Sequence, residues 1–227
     1  MEGRQVVVTG GAGALGRAVV DAFVGAGAVV HVPVRGGQAP AGGPPGVSYV
    51  PGVDLTDEAA VVAFYAGLPE PLWASVHVAG GFAMAGLTQT TLTALRAQLD
   101  LNLVSAFLCC REAVRRIRAR PDAGGRLVNV SARAALEPAG GKIAYTLAKA
   151  GIVALTQSLA DELAPEGILV NAVAPGTIDT TANRSAMSGA DATRFVPPEE
   201  IAAVVLWLAS PDNRVGSGAV LPVYGRS

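Results

Sequence analysis

A short β-branched run, Gln5 to Thr9, leads directly into Gly10-Gly11-Ala12-Gly13-Ala14-Leu15-Gly16, and a helical apolar pattern follows through Ala18, Val19, Ala22 and Phe23. No other junction restricts the fold of this chain as strongly. A glycine-rich turn between a first strand and a first helix lets main-chain amides approach a pyrophosphate at the helix N-terminus. A tight strand–helix turn that holds no ligand gives a similar string. The rest of the chain has to decide between the two.

The rest of the chain alternates. Val29 to Val34, Val47 to Val53, Trp73 to Ala79, Arg126 to Val130, Ile168 to Ala174 and Ala219 to Tyr224 read as six further strands. Between them lie helical patterns. Ala59 to Ala66 follows Thr56 or Asp57 as a helix N-cap. Thr93 to Arg118 reads as one long helix, apolar at Leu95, Leu99, Leu103, Phe107, Val114 and Ile117. Pro197-Pro198-Glu199-Glu200 opens a helix running to about Ala209, with prolines and acids at the end that favours them. Gly36 to Gly46 is a Gly/Pro loop, and the polar stretch Thr177 to Val196 reads as a loop long enough to act as a lid. With 227 residues and no repeat or linker, the prediction is one α/β domain over residues 1–227. It is a doubly wound parallel sheet of about seven strands with helices on both faces.

Charge narrows the partners. Charged residues make up 15% of the chain and the net charge is −1. Nucleic acid and anionic membrane surfaces need a basic face, so neither is expected as a partner. No apolar stretch reaches the ~20 residues of a membrane span, and Met1-Glu2-Gly3-Arg4 runs straight into a strand with no secretory leader. Cys109 and Cys110 are adjacent in a helical stretch and read as reduced, packed thiols. His31 and His77, the two histidines, both sit in strand patterns, so no metal site is expected. A cytoplasmic enzyme acting on a small molecule fits this balance.

Tyr145-Thr146-Leu147-Ala148-Lys149 carries the chemistry. A Tyr and a Lys four apart on a helix share one face, one turn from each other. Neither titrates near neutrality alone, at ~10 and ~10.4. An ammonium beside the phenol favours phenolate and lowers its pKa toward the working range. The bland alternative is a surface Tyr/Lys pair on an amphipathic helix. Asn102 sits inside the long helix beside its apolar face, where a poor helix former is either exposed or held by a hydrogen bond. Gly80-Gly81, after a buried strand, suggests close backbone approach to another group. At the tip of the second strand Val34-Arg35 offers a cation and no carboxylate, which suits a ribose 2′-phosphate better than a 2′-hydroxyl. A solvated loop charge remains the other reading of Arg35.

These residues together resemble the short-chain dehydrogenases/reductases over nearly the whole chain. The family's T-G-x-x-x-G-x-G turn appears as Thr9-Gly10, Gly11-Ala12-Gly13, Ala14, Leu15, Gly16, with Ala14 in place of the middle glycine. Asp54-Leu55 matches its adenine contact. Val78-Ala79-Gly80 matches the end of its N-N-A-G motif, with His77 and Val78 replacing both asparagines. Asn102 matches the asparagine that holds a water in a proton relay, and Tyr145 and Lys149 match the catalytic pair. Pro175-Gly176, with Ile178 and Thr180, matches the loop on the nicotinamide side. The resemblance implies a single-domain Rossmann fold and an NAD(P)-dependent oxidoreductase, and Arg35 points to NADP(H) over NAD(H). It also implies a homodimer or homotetramer in which the Asn102 and Tyr145 helices pack across subunits. A family member that binds nucleotide without turnover, as a sensor or scaffold, is the rival class.

One departure is informative. The family places a serine thirteen residues before the tyrosine, and here that position is Ala132. Ser131 comes one residue earlier, where strand alternation points it to the other face unless the strand end bulges. A narrower resemblance, to quinonoid dihydropteridine reductases, accounts for the alanine. It rests on the glycine turn, Val78-Ala79-Gly80-Gly81, Ala132 to Glu137, Ile178-Asp179-Thr180 with Asn183-Arg184, and Ser217-Gly218. That branch carries an acid at the second strand's tip and lacks the Asn102 equivalent, so the chain reads as a hybrid. Phe82, Met84, Asn183, Met187 and Phe195 are candidates for the substrate pocket, each also readable as ordinary packing.

Overall fold

Seven parallel strands form one sheet in the order β3-β2-β1-β4-β5-β6-β7. They are β1 (Gln5–Thr9), β2 (Val29–Val34), β3 (Val47–Pro51), β4 (Leu72–His77), β5 (Gly125–Val130), β6 (Ile168–Pro175) and β7 (Val220–Val223). The computed structural model describes residues 1–38, 43–119 and 124–225, so residues 39–42 of the Gly36 to Gly46 loop lie outside it. Strand order reverses between β1 and β4, and such a switch opens a crevice beyond the strands' carboxyl ends.

The pleat divides each strand between two cores. On one face Val6 and Val8 of β1 pack with Val30, Val76 and Val128 under α1 (Ala14–Gly25) and α8 (Pro198–Ala209). On the other face Val7, Leu127 and Val170 pack under α2 (Glu58–Ala66), α4 (Ser105–Arg118) and α6 (Ile143–Leu163). Coverage of both faces is what makes the central strands continuous apolar runs. Asp57 is the N-cap of α2, its side chain accepting from the Ala59 amide.

Four expectations need correcting. The long helix is not regular: α3 (Leu92–Leu99) passes into α4 through a π-turn at Asp100–Val104, which holds Asn102. Phe107, expected on its core face, is 46% exposed. The stretch read as a loop from Thr177 to Val196 contains a short helix, α7 (Thr181–Ala186), capped by the Thr180 side chain. It has no apolar face, so periodicity could not show it. Finally, Ile143–Glu166 is long and apolar enough to span a membrane by length and composition. Its Ala148, Lys149, Ile152, Thr156, Ala160 and Leu163 are buried, as in a core helix laid on a sheet.

Candidate active site

A cleft of about 510 Å³ opens beyond the carboxyl ends of β1 to β4. Its floor is the glycine turn. Gly10 has φ +68°, and a Cβ there would stand 2.7 Å from the Ala79 amide nitrogen. A Cβ on Gly16 would stand 2.0 Å from the Gly10 carbonyl oxygen. These two glycines are therefore required by close approach of backbone to backbone. Gly13, the N-cap of α1, offers no side-chain cap, and the first turn carries no acid. The helix thus presents unneutralised amides to the cleft beside the exposed Ala14, a cradle that fits a dinucleotide's pyrophosphate. Leu15 lines the same floor. Thr9, which opens the motif, accepts at Oγ1 from Ala79 N at 3.2 Å, and Arg17, not anticipated from sequence, donates from Nε to Ala12 O at 3.0 Å.

Arg35, Asp54 and Leu55 form the adenosine end of the cleft. Arg35 Nη2 lies 3.3 Å from Asp54 Oδ2, with the arginine side chain 77% exposed. Asp54 Oδ1 accepts from Thr56 N and Thr56 Oγ1 at 2.9 and 2.8 Å. Those bonds first, and Arg35 to a smaller degree, hold the carboxyl below its usual range. An ion pair this exposed is worth about 0–1 kcal/mol, so the guanidinium is free to turn toward a phosphate.

Ala79 and Gly80 form the opposite wall, and Lys149 approaches it at Gly80. A Cβ on Gly80 would lie 2.6 Å from Asn102 Oδ1 and 3.4 Å from Lys149 Nζ, so both side chains close on the space a side chain there would need. Asn102 clamps the next residue, accepting from Gly81 N at 3.2 Å and donating to Gly81 O at 3.0 Å. It also donates to Gln98 O. Its carboxamide is therefore spent on the chain rather than left for a water. Lys149 Nζ donates to Val130 O at 2.8 Å and lies 5.9 Å from the centre of the Tyr145 ring. Phe82 packs edge-on against Tyr145, with ring centres 4.9 Å apart at 88°.

The electrostatics correct the simplest expectation for the pair. Burial pushes the Tyr145 phenol up to about 12, where a lowered value was expected from the lysine. Burial also pulls Lys149 down to about 8. The ammonium is oriented at the Val130 carbonyl, and desolvation is the cause that sets the phenol. A stability consequence follows. Unfolded Lys149 would hold its proton up to about 10.5 while the folded form sheds it near 8. The unfolded chain binds more protons in that window, so protein without cofactor should gain stability as pH rises from 8 to 10.5. The gain is at most roughly 3 kcal/mol, and Lys149→Met should flatten it in denaturant titrations. An unchanged slope in the variant would remove Lys149 as the source.

Other predicted positions lie apart from the 510 Å³ cleft. Pro175 ends β6, and Gly176 N donates to Val223 O. Ile178 bridges to Val196, and the Thr180 hydroxyl accepts from Asn183 N as a helix cap. Among the substrate candidates, Phe195 is buried packing and Asn183 is bonded to Ile178 O. Phe82, Met84 and Met187 remain open, at 59%, 68% and 44% exposure. Ser131 is 2% exposed and donates to Lys149 O at 2.8 Å, so its hydroxyl points into the α6 backbone. Ala132 is the residue that caps the short helix α5 (Arg133–Leu136), in extended conformation.

Fold and site together define a short-chain dehydrogenase/reductase, and the chain belongs to that family. The sequence profile described as enoyl-(acyl carrier protein) reductase matches residues 10–225. Within the family the chain is 32% identical to the 3-oxoacyl-[acyl-carrier-protein] reductase MabA of Mycobacterium tuberculosis (strain ATCC 25618 / H37Rv), covering 98% of this chain and 92% of MabA. It is 30% identical to the 3-oxoacyl-[acyl-carrier-protein] reductase FabG of Aquifex aeolicus (strain VF5), covering 99% and 97%. The solved structure of ElxO with NADP bound superposes with a TM-score of 0.91 at 25% identity, covering 99% of this chain and 98% of ElxO.

Proposed function

We propose that the protein is an NADP(H)-dependent oxidoreductase that reduces, or in reverse oxidises, a carbonyl, quinonoid or imine-like carbon of a small molecule. The observation that carries this reading is the approach of Asn102 Oδ1 and Lys149 Nζ to Gly80, which brings the end of the cleft to the Tyr/Lys helix. The nicotinamide, when bound, supplies the hydride. Tyr145 donates the proton to the substrate heteroatom or takes it back. Lys149 holds the nicotinamide ribose and supports the phenolate. Asn102 fixes the Gly80-Gly81 wall through its bonds to Gly81. Gly10, Gly13, Ala14, Leu15 and Gly16 hold the pyrophosphate, Arg35 the 2′-phosphate, Asp54 and Leu55 the adenine, and Ala79 the adjacent ribose. Pro175, Gly176, Ile178 and Thr180 would receive the nicotinamide. The two free, buried thiols suit a reducing, cytoplasmic setting. The exposed Phe107 and Leu147 on α4 and α6 suit pairing with a second copy in a homodimer or homotetramer.

NADPH should bind more tightly than NADH, by up to roughly 5-fold for a single exposed charge-assisted contact. Fluorescence titration of both cofactors checks this, and Arg35→Ala should abolish the difference. Equal affinities in the wild type would reduce Arg35 to a loop charge.

Within this activity the acceptor is a conjugated one. A simple ketone builds negative charge on one oxygen, and loss of one hydroxyl donor to such an oxygen costs on the order of 10²–10³ in rate. Ala132 has no donor to give, and the Ser131 hydroxyl is already bonded to Lys149 O. A quinonoid or quinone acceptor spreads that charge, and Phe82, Met84 and Met187 offer it an apolar mouth. The test is a panel of quinonoid dihydropterin, quinone, short 3-oxoacyl thioester and simple ketone with NADPH. Wild type should favour the first two, and Ala132→Ser should raise ketone and thioester turnover more. The preference is wrong if wild type reduces the thioester or ketone well and Ala132→Ser changes nothing. No turnover anywhere, with NADPH still bound, would favour the sensor reading.

A further inference from the structure

Behind the cleft, a chain of buried polar side chains runs along one face of the sheet from α2 to α6. Tyr65 Oη lies 2.8 Å from Ser75 Oγ, which lies 2.9 Å from His77 Nε2. His77 Nδ1 lies 2.8 Å from Asn129 Oδ1, Asn129 Nδ2 lies 2.9 Å from Thr156 Oγ1, and Thr156 Oγ1 donates to Ile152 O at 2.7 Å. All five side chains are 3% exposed or less. Chemistry fixes the direction of every bond. Thr156 has one proton and gives it to a helix carbonyl, so Asn129 must donate to Thr156 through its amide. That turns Asn129 Oδ1 toward His77, which must donate from Nδ1. The bare Nε2 then accepts from Ser75, which accepts from Tyr65. Cys110 of α4, its sulfur 3.4 Å from His77 Nδ1 and 3.6 Å from Asn129 Oδ1, gives its thiol proton to that oxygen. The groups facing the imidazole are Tyr65 from α2, Cys110 from α4, Ser75, Asn129 and Thr156, all uncharged at neutral pH. Burial keeps the ring neutral as well, pulling its pKa down to about 4.

Three backbones that meet at Lys149 leave from this chain. His77 ends β4, and the next residues, Val78-Ala79-Gly80, are the cleft wall that Lys149 Nζ approaches at Gly80. Asn129 precedes Val130, whose carbonyl takes the Lys149 proton. Thr156 lies two turns along α6 from Lys149, on the same buried face. We propose that His77, as a neutral imidazole carrying its proton on Nδ1, is a positioning residue for the Tyr145/Lys149 reaction. It acts by locking the tips of β4 and β5 to α6. This rests on the reading of that pair as the acid–base machinery. Displacement of reacting groups by about 1 Å can cost on the order of 10²-fold in rate without new contacts being lost.

Two measurements test it. The first needs no activity: nitrogen NMR of the two imidazoles, assigned with a His31 variant, should place the His77 proton on Nδ1 at pH 6–8. A proton on Nε2, or a charged ring, overturns the proposal even if Tyr145 proves catalytic. The second compares His77→Leu with His77→Asn, whose amide can take the Nδ1 position and donate to Asn129. We expect the leucine variant to lose about 10-fold or more in kcat, with the Kd for NADPH within about 3-fold of wild type. The asparagine variant should recover most of that loss. Should the leucine variant not fold, an asparagine variant with wild-type melting and a 10-fold lower kcat overturns the rescue, and near wild-type kcat supports it. A folded leucine variant with wild-type kcat, or kcat losses that only track the unfolded fraction, overturns the proposal. Loss of activity in none of the Tyr145 variants would instead sink the acid–base reading, while leaving the tautomer result intact.

Discussion

Tyr145→Phe should lower kcat by on the order of 10²–10⁴, the usual contribution of a positioned proton donor, while NADPH affinity changes little. The phenylalanine ring keeps the edge-on contact with Phe82, so the substitution removes the hydroxyl and not the packing. Because burial already holds the phenol near 12, the wild-type residue is protonated throughout the neutral range. It is therefore poised as an acid for reduction, and the reverse reaction should require higher pH. Lys149→Ala should lower turnover and cofactor affinity together, because Lys149 also anchors Val130. Single-turnover rates with a saturating cofactor separate the two variants. A phenylalanine variant that turns over like wild type would end the Tyr/Lys mechanism for this protein.

Gly16→Ala should cost about 3 kcal/mol or more of stability and weaken NADPH binding at least about 100-fold. The added methyl would sit 2.0 Å from the Gly10 carbonyl oxygen and 2.7 Å from Gly11 Cα, both backbone atoms. Relief is possible only by opening the turn, and the opened turn no longer aims its amides at a pyrophosphate. Gly25→Ala, at the other end of α1, is the matched control. No atom lies within 4 Å of its added carbon, so it should be neutral or slightly stabilising. In a domain of this size 3 kcal/mol corresponds to a melting shift of about 6–12 °C, easily read by calorimetry. If Gly16→Ala melts and binds NADPH like Gly25→Ala, the close approach is not what the turn requires.

Much of the architecture was written in simple periodicities. β1 reads as Gln5 to Thr9 both in sequence and in space, because three valines in a row between a polar start and a glycine turn have no other use. The Ser131 alternative resolved as alternation predicts, with the hydroxyl turned away into the Lys149 carbonyl. Other features depend on tertiary surroundings that spacing cannot encode. Tyr145 and Lys149 share a helical face, yet what sets their protonation is the depth at which α6 is buried, and that came out opposite to the pair argument for the tyrosine. The Arg35 pairing with Asp54 joins the ends of two adjacent strands, β2 and β3, across a loop. The α7 segment is stabilised by its Thr180 cap and the Arg184–Asp179 ion pair instead of by an apolar stripe. The π-turn has no glycine or proline to announce it.

That π-turn has a geometric consequence for the whole long helix. A regular α-helix advances about 100° per residue, so positions four apart drift by about 40° at each step. Gln98, Asn102 and Ala106 are spaced by fours and are all buried, which a regular helix would allow only by twisting the last of them about 80° away from the first. The wider turn takes up that drift as it passes through residues 100–104. It keeps the amide of Asn102 in line with Gly81 without forcing α4 to roll off the sheet. The angular phase of α4, and with it the outward direction of Phe107, is thus tied to the clamp on the cleft wall. Any change that returned the turn to regular winding would rotate the clamp and the helix's outer face together.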